Sequence, residues 1–190
     1  PSLTSLPFIT ILALFFAPTA SESEEKNSPA KGPGQPMPAN WRNDGSGIWN
    51  GVDPPTKWSE KGGILWKTNV GKSSNSSLIK VGKRIFVANE KALLQCLDVD
   101  TGKILWQHEL KKESLPEDQQ QKVAEGNVDS GNASHTPVSD GKFVYVAFAN
   151  SIVAAFDLTG RRKWATALGE RSSSDGRSSS PLLVDGKLLW

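Results

Sequence analysis

Leu97-Asp98-Val99-Asp100-Thr101-Gly102-Lys103-Ile104-Leu105-Trp106 decides the fold, because it occurs a second time. Phe156-Asp157-Leu158-Thr159-Gly160-Arg161-Arg162-Lys163-Trp164 repeats it with one residue deleted, so the Asp-to-Trp spacing is eight in the first copy and seven in the second. The same succession precedes each copy. A short apolar stretch runs to a glycine (Leu78–Gly82, then Pro137–Gly141), and a β-rich run follows (Arg84-Ile85-Phe86-Val87-Ala88, then Phe143-Val144-Tyr145-Val146-Ala147). Two full units therefore extend from Ser77 to Gln107 and from Thr136 to Ala165.

Partial units flank them. A third start is read at Ser179-Ser180-Pro181 to Gly186, where Trp190 takes the position of Phe86 and Tyr145. Before the first unit, Gly62-Gly63-Ile64-Leu65-Trp66 reads as a lone last strand, and Trp66 and Trp106 are 40 residues apart. A period near 40 with several short strands per unit and glycine at the turns is the sequence signature of propeller blades. Helices do not fit, because the runs are short, rich in Val, Ile and aromatic residues, and bounded by Asp, Gly, Asn and Ser.

The predicted fold class is all-β, a β-propeller of four-stranded blades with Trp-docking repeats. It is incomplete, with about two and a half blades present. One such sheet cannot bury both faces, whereas stacked sheets bury each against its neighbours. Trp66, Asp98, Gly102, Trp106, Asp157, Gly160 and Trp164 are the expected blade-docking residues. The Trp rings would wedge between adjacent sheets, and the two aspartates would cap the turns.

Trp106 and Trp164 are 58 residues apart, about 15 more than one blade needs. The excess lies in Glu109 to Ala133, where Ser114-Leu115-Pro116-Glu117 is a helix-start signal. Ser172 to Arg177 occupies the equivalent connection after the next blade. Equivalent loops should emerge on one face, and loops on a rigid scaffold carry binding. That face is the candidate binding surface; solvated spacers are the other reading.

The first 22 residues read as a signal peptide whose basic n-region is missing. Leu6 to Ala17 is an uncharged apolar run of 12 residues, about 18 Å as a helix and too short to cross a hydrocarbon core of about 30 Å. An uncleaved anchor is the rival reading. Residues 23–40 read as a disordered Pro/Gly linker, and 41–190 as the repeats. The chain begins without Met and stops inside an apolar run at Trp190, so both ends are expected to be truncated.

The stretch from Leu97 to Trp106 resembles the repeat of pyrroloquinoline-quinone (PQQ) enzyme propellers, and Trp41-Arg42, Gly45 and Gly47 resemble the opening region of exported bacterial PQQ-like proteins. The resemblance covers residues 41–190. It implies a family that holds PQQ- and calcium-binding dehydrogenases, an outer-membrane assembly lipoprotein and cofactor-free scaffolds. It also implies that the repeat Trp and Gly dock blades and do not bind the quinone.

A dehydrogenase of this kind should carry a vicinal cysteine pair, calcium ligands and an Asp base, by the same resemblance. The chain has a single cysteine, Cys96, read as a small buried strand residue. His108 and His135 are the only histidines and lack metal-ligand spacing. His135 is read as a hydrogen-bonded structural residue, and Arg161-Arg162-Lys163 as an exposed basic cluster that discourages edge pairing. No residue is assigned a catalytic, cofactor-binding or metal role. With 22 basic and 20 acidic residues, nothing in the charge points to nucleic acid. The function expected is a non-catalytic exported scaffold, periplasmic or extracellular, binding an envelope protein or other macromolecule through its loops, with no membrane insertion after signal cleavage. The alternative is the N-terminal part of a PQQ-dependent dehydrogenase whose active-site blades lie elsewhere, and only that alternative calls for PQQ and calcium.

Overall fold

The computed structural model describes residues 39–42, 56, 57, 59, 62–72, 74–123, 133–169 and 179–190. The signal segment, most of the linker, Gly45, Gly47 and Ser172 to Arg177 lie outside the described residues. Two four-stranded antiparallel sheets follow one another. The first is β1 (Ile79–Val81), β2 (Arg84–Asn89), β3 (Leu93–Asp98) and β4 (Ile104–Glu109), in that spatial order. The second repeats the order with β5 (Val138–Ser139), β6 (Phe143–Ala147), β7 (Ile152–Asp157) and β8 (Arg162–Ala167). A hairpin of β9 (Leu182–Val184) and β10 (Lys187–Leu189) opens a third. These are blades of a β-propeller, present in part.

The period-two alternation of side chains explains the stacking. Phe86, Cys96 and Trp106 are paired across β2, β3 and β4 and point to one face; Tyr145, Ala155 and Trp164 are their equivalents in the second sheet. The first of these faces meets the opposite face of the second sheet. There Phe86, Ala88, Leu94 and Cys96 pack with Val144, Val146, Ala154 and Phe156 in one buried cluster. Both outer strands carry an irregularity at the same place, between Cys96 and Leu97 opposite β4 and between Ala155 and Phe156 opposite β8. A bulge there adds twist and re-aims the residues ahead of the Trp.

Two segments lie ahead of the first sheet. The run 64–70 ahead of the first unit is not paired in a sheet among the described residues, and Leu65 is 92% exposed. Its alternating exposure is that of an extended strand, but no described strand lies beside it. At the end of the stretch read as a linker, Ala39 pairs with Ser139 of β5.

The inserted segment is also less loop-like than its composition implies. A 3-10 turn (Lys112–Ser114) and a one-turn helix α1 (Glu117–Gln120) fold back along β8. Leu115 is buried in the common core, Arg162 donates to the Ser114 carbonyl at 2.9 Å, and Thr166 donates to Gln119 Oε1 at 3.1 Å. Arg162 therefore ties down the insertion, and β8 is covered by chain rather than guarded by charge alone. The remainder, residues 124–132, lies outside the described residues.

Cys96 sits wholly buried at the inter-sheet interface. Burial pushes its thiol up to about 12, so the reactive thiolate is scarce at pH 8. The folded protein should resist alkylation by iodoacetamide at pH 8 and take up one equivalent only after denaturation, as read by intact mass.

Candidate functional site

The residues with recognisable chemistry converge on the seams between units. Trp66 lies on the Thr101-Gly102 turn of the first unit, and Trp106 lies on the Thr159-Gly160 turn of the second. A Cβ on Gly160 would lie 2.8 Å from both Cγ and Cδ2 of Trp106, and one on Gly102 would collide with the ring of Trp66 and with Thr68 Oγ1. Both glycines also hold φ in the left-handed region, 69° at Gly102 and 94° at Gly160. Each indole N–H then donates to the carbonyl one residue after the turn aspartate, Trp66 Nε1 to Val99 at 3.0 Å and Trp106 Nε1 to Leu158 at 3.2 Å.

A second donor accompanies each Trp, two residues on. Thr68 Oγ1 donates to the Gly102 carbonyl at 2.6 Å, and His108 Nε2 lies 2.7 Å from the Gly160 carbonyl. A carbonyl only accepts, so His108 carries its proton on Nε2 in this arrangement. Its ring stacks on Phe156 with centroids 4.8 Å apart. The spacing Trp-x-Thr or Trp-x-His was legible at Trp66, Trp106 and Trp164, the last with Thr166, but hydroxyl and imidazole do not look alike in a sequence.

The aspartates shape the turns that receive these donors. Asp98 Oδ1 accepts from the backbone N–H of Asp100 and Thr101 and from the Thr101 hydroxyl. Asp157 Oδ1 accepts from the N–H of Thr159 and Arg161 and from the Thr159 hydroxyl at 2.6 Å. The threonine hydroxyl is the largest cause that lowers each carboxyl below the usual carboxylate range; at Asp157 the Lys163 ammonium, 3.3 Å away, adds to it. Trp164 repeats the position of Trp106 and lies against Tyr145 with centroids 6.3 Å apart.

A further seam runs along the first strands. Ser77, Thr136 and Ser180 hold equivalent positions just before β1, β5 and β9. The Ser77 N–H donates to Thr136 Oγ1 at 3.1 Å, and the Thr136 N–H donates to Ser180 Oγ at 3.0 Å. Each unit thus hands a backbone donor to a hydroxyl of the next. The repeat units open at these residues, but the pattern gave no sign that a hydroxyl there accepts from the preceding unit. His135, beside Thr136, is fully buried with its ring edge-on to Trp190 at 5.0 Å. No group of three or more His, Cys, Asp or Glu among the described residues is placed to hold a metal ion.

Two expected outcomes follow. Gly160→Ala should destabilise the protein by roughly 1–3 kcal/mol through backbone strain, with the collision against Trp106 adding to it. Gly82→Ala, also at positive φ but facing open space, should cost less in the same urea titration. The pH effect has a definite sign, because both folded carboxyls are lowered. The stability they contribute is complete above the ordinary aspartate value, about 3.9, and is lost as pH falls through the lower folded values. Thermal melts of Asp98→Asn and Asp157→Asn should show a weaker fall in stability below about pH 4 than the parent does.

The family model described as "Outer membrane protein assembly factor BamB", a PQQ-like repeat family, matches residues 51–190. A search of curated protein sequences finds no match. Among solved structures, BamB from Moraxella catarrhalis is similar at 20% identity and a TM-score of 0.46, covering 65% of this chain and 32% of that one. Quinohemoprotein alcohol dehydrogenase from Comamonas testosteroni is similar at 16% identity and a TM-score of 0.44, covering 62% of this chain and 17% of that one. The chain spans about a third of the length of that BamB structure. Matched over most of its length, this repeat-bearing chain belongs to the PQQ-like repeat family described as outer membrane protein assembly factor BamB.

Proposed function

We propose that the protein is a non-catalytic, exported PQQ-like scaffold that binds a protein partner of the cell envelope through its loops. The observation that carries this reading is how the reactive side chains are used. Asp98 and Asp157 are spent on turn capping, His108 on the Gly160 carbonyl, and Cys96 is buried between sheets. The family description, an outer-membrane protein assembly factor, supports a protein partner over a small substrate. The partner surface in this reading is the face where the β2–β3 and β6–β7 hairpins turn and the inserted segment emerges. It is anchored on rigid strands, as Leu110 N–H bonds the Ala92 carbonyl and Asn150 Nδ2 bonds the Leu110 carbonyl.

Photo-crosslinking amino acids at Lys91 and Lys111 on this face, and at Lys103 and Lys142 on the opposite face, test the reading in the source cell's envelope. A single envelope protein crosslinked from the first pair and not from the second is expected. Equal labelling from both faces would remove the assigned surface. The alternative, a dehydrogenase whose active-site blades lie elsewhere, is tested by adding PQQ and calcium to the full-length protein and following a dye acceptor with alcohols and sugars. Turnover there would overturn the scaffold reading.

A further inference from the structure

The free edge of β5 offers a partner strand very little to bind. The strand is two residues long, Val138–Ser139, and Pro137 before it has no N–H. Beyond it, the Gly141 N–H is already given to Ser139 Oγ at 3.0 Å. Between these stops the Ser139 N–H and carbonyl form one reciprocal pair with Ala39, at 2.7 and 2.9 Å. Ala39 is 2% exposed and belongs to the common core; Ser139 is 0% exposed. On the incoming side, Pro38 contributes no N–H either.

We propose that the edge of β5 is a single-register strand-binding site whose ligand is the chain's own segment at Ala39. The segment passes by the first sheet, which follows it in sequence, and latches onto the second. A slip of one residue would turn the side chain at position 39 out of the core, and a slip of two would meet Pro137 or the occupied Gly141 amide. Pairing is therefore confined to one register, and the edge is closed to an invading strand. Trp41 and Arg42, with the guanidinium 4.6 Å from the ring centroid, lie just beyond this point.

A reciprocally bonded pair has a Cα separation of about 5.5 Å, within the roughly 4.4–6.8 Å that a disulfide spans. In the full-length protein carrying Ala39→Cys and Ser139→Cys, oxidation should join the two thiols, seen as a linked peptide pair after tryptic digestion. Cys96 is buried and does not compete. Thiols that stay free in a protein with a parental melt would overturn the latch. Since Ser139 Oγ also serves the turn to Phe143, amide exchange in Ala39→Asp, which puts a carboxylate where a buried methyl sat and so drives the segment and its carbonyl off the edge, supplies a measurement that leaves Ser139 intact. The Ser139 amide should exchange slowly in the parent and at least tenfold faster in the variant, with Val146 unchanged. Equal rates at Ser139 in the two proteins would equally overturn it.

Discussion

An indole laid on a glycine that has no room for a methyl group sets how closely two sheets approach. At Gly160 the ring of Trp106 occupies the volume a side chain would need, and the same holds at Gly102 under Trp66. The contact is apolar over the ring and polar at its edge, where the N–H reaches the carbonyl after the aspartate. That carbonyl is presented because the aspartate has folded the turn around its own carboxylate. Remove the carboxylate and the turn loosens; remove the glycine and the ring is lifted off. The three motif positions, tryptophan, glycine and aspartate, are thus parts of one joint, and each is meaningless without the neighbouring unit.

This dependence explains what was legible in the sequence. Glycine at φ of 69° or 94°, a wide flat ring and a short acceptor side chain are chemically narrow requirements, so they recur as the same letters and betray the period. The second donor is a broader requirement. Any N–H or O–H of the right reach serves, so Thr68 and His108 do the same work without resembling one another. Thr136 and Ser180 were marked as unit starts, but a hydroxyl is too common there to announce its role as an acceptor between units. The burial of Leu115 could not be foreseen from a polar stretch holding few apolar residues, because it depends on β8 lying alongside. Ala39 sits directly behind a Pro-rich stretch that reads as unstructured, and its partner Ser139 is 100 residues away.

The joint also frames the functional reading. Side chains that elsewhere perform catalysis are here bonded to backbone, and family membership rests on the repeats rather than on any site. Fold alone does not select an activity. The described part of the connection between β4 and β5 lies along β8, beside hairpins whose left-handed residues Ala92 and Ser151 each accept the amide that follows an outer strand.

The tryptophan seam and the first-strand seam both run one way. The unit nearer the N-terminus supplies indole, hydroxyl or imidazole, and the next supplies glycine and carbonyl; along the first strands the amide is given in the same sense. Such an interface is head-to-tail, and two copies of one surface cannot satisfy it by facing each other. Head-to-tail contacts close into a ring when the rotation per step divides the circle and wind into an open spiral when it does not. The residue missing ahead of Trp164 is taken up in the turn, because both sheets keep the same pairing and the same irregularity before the tryptophan, so the joint repeats unaltered from one unit to the next.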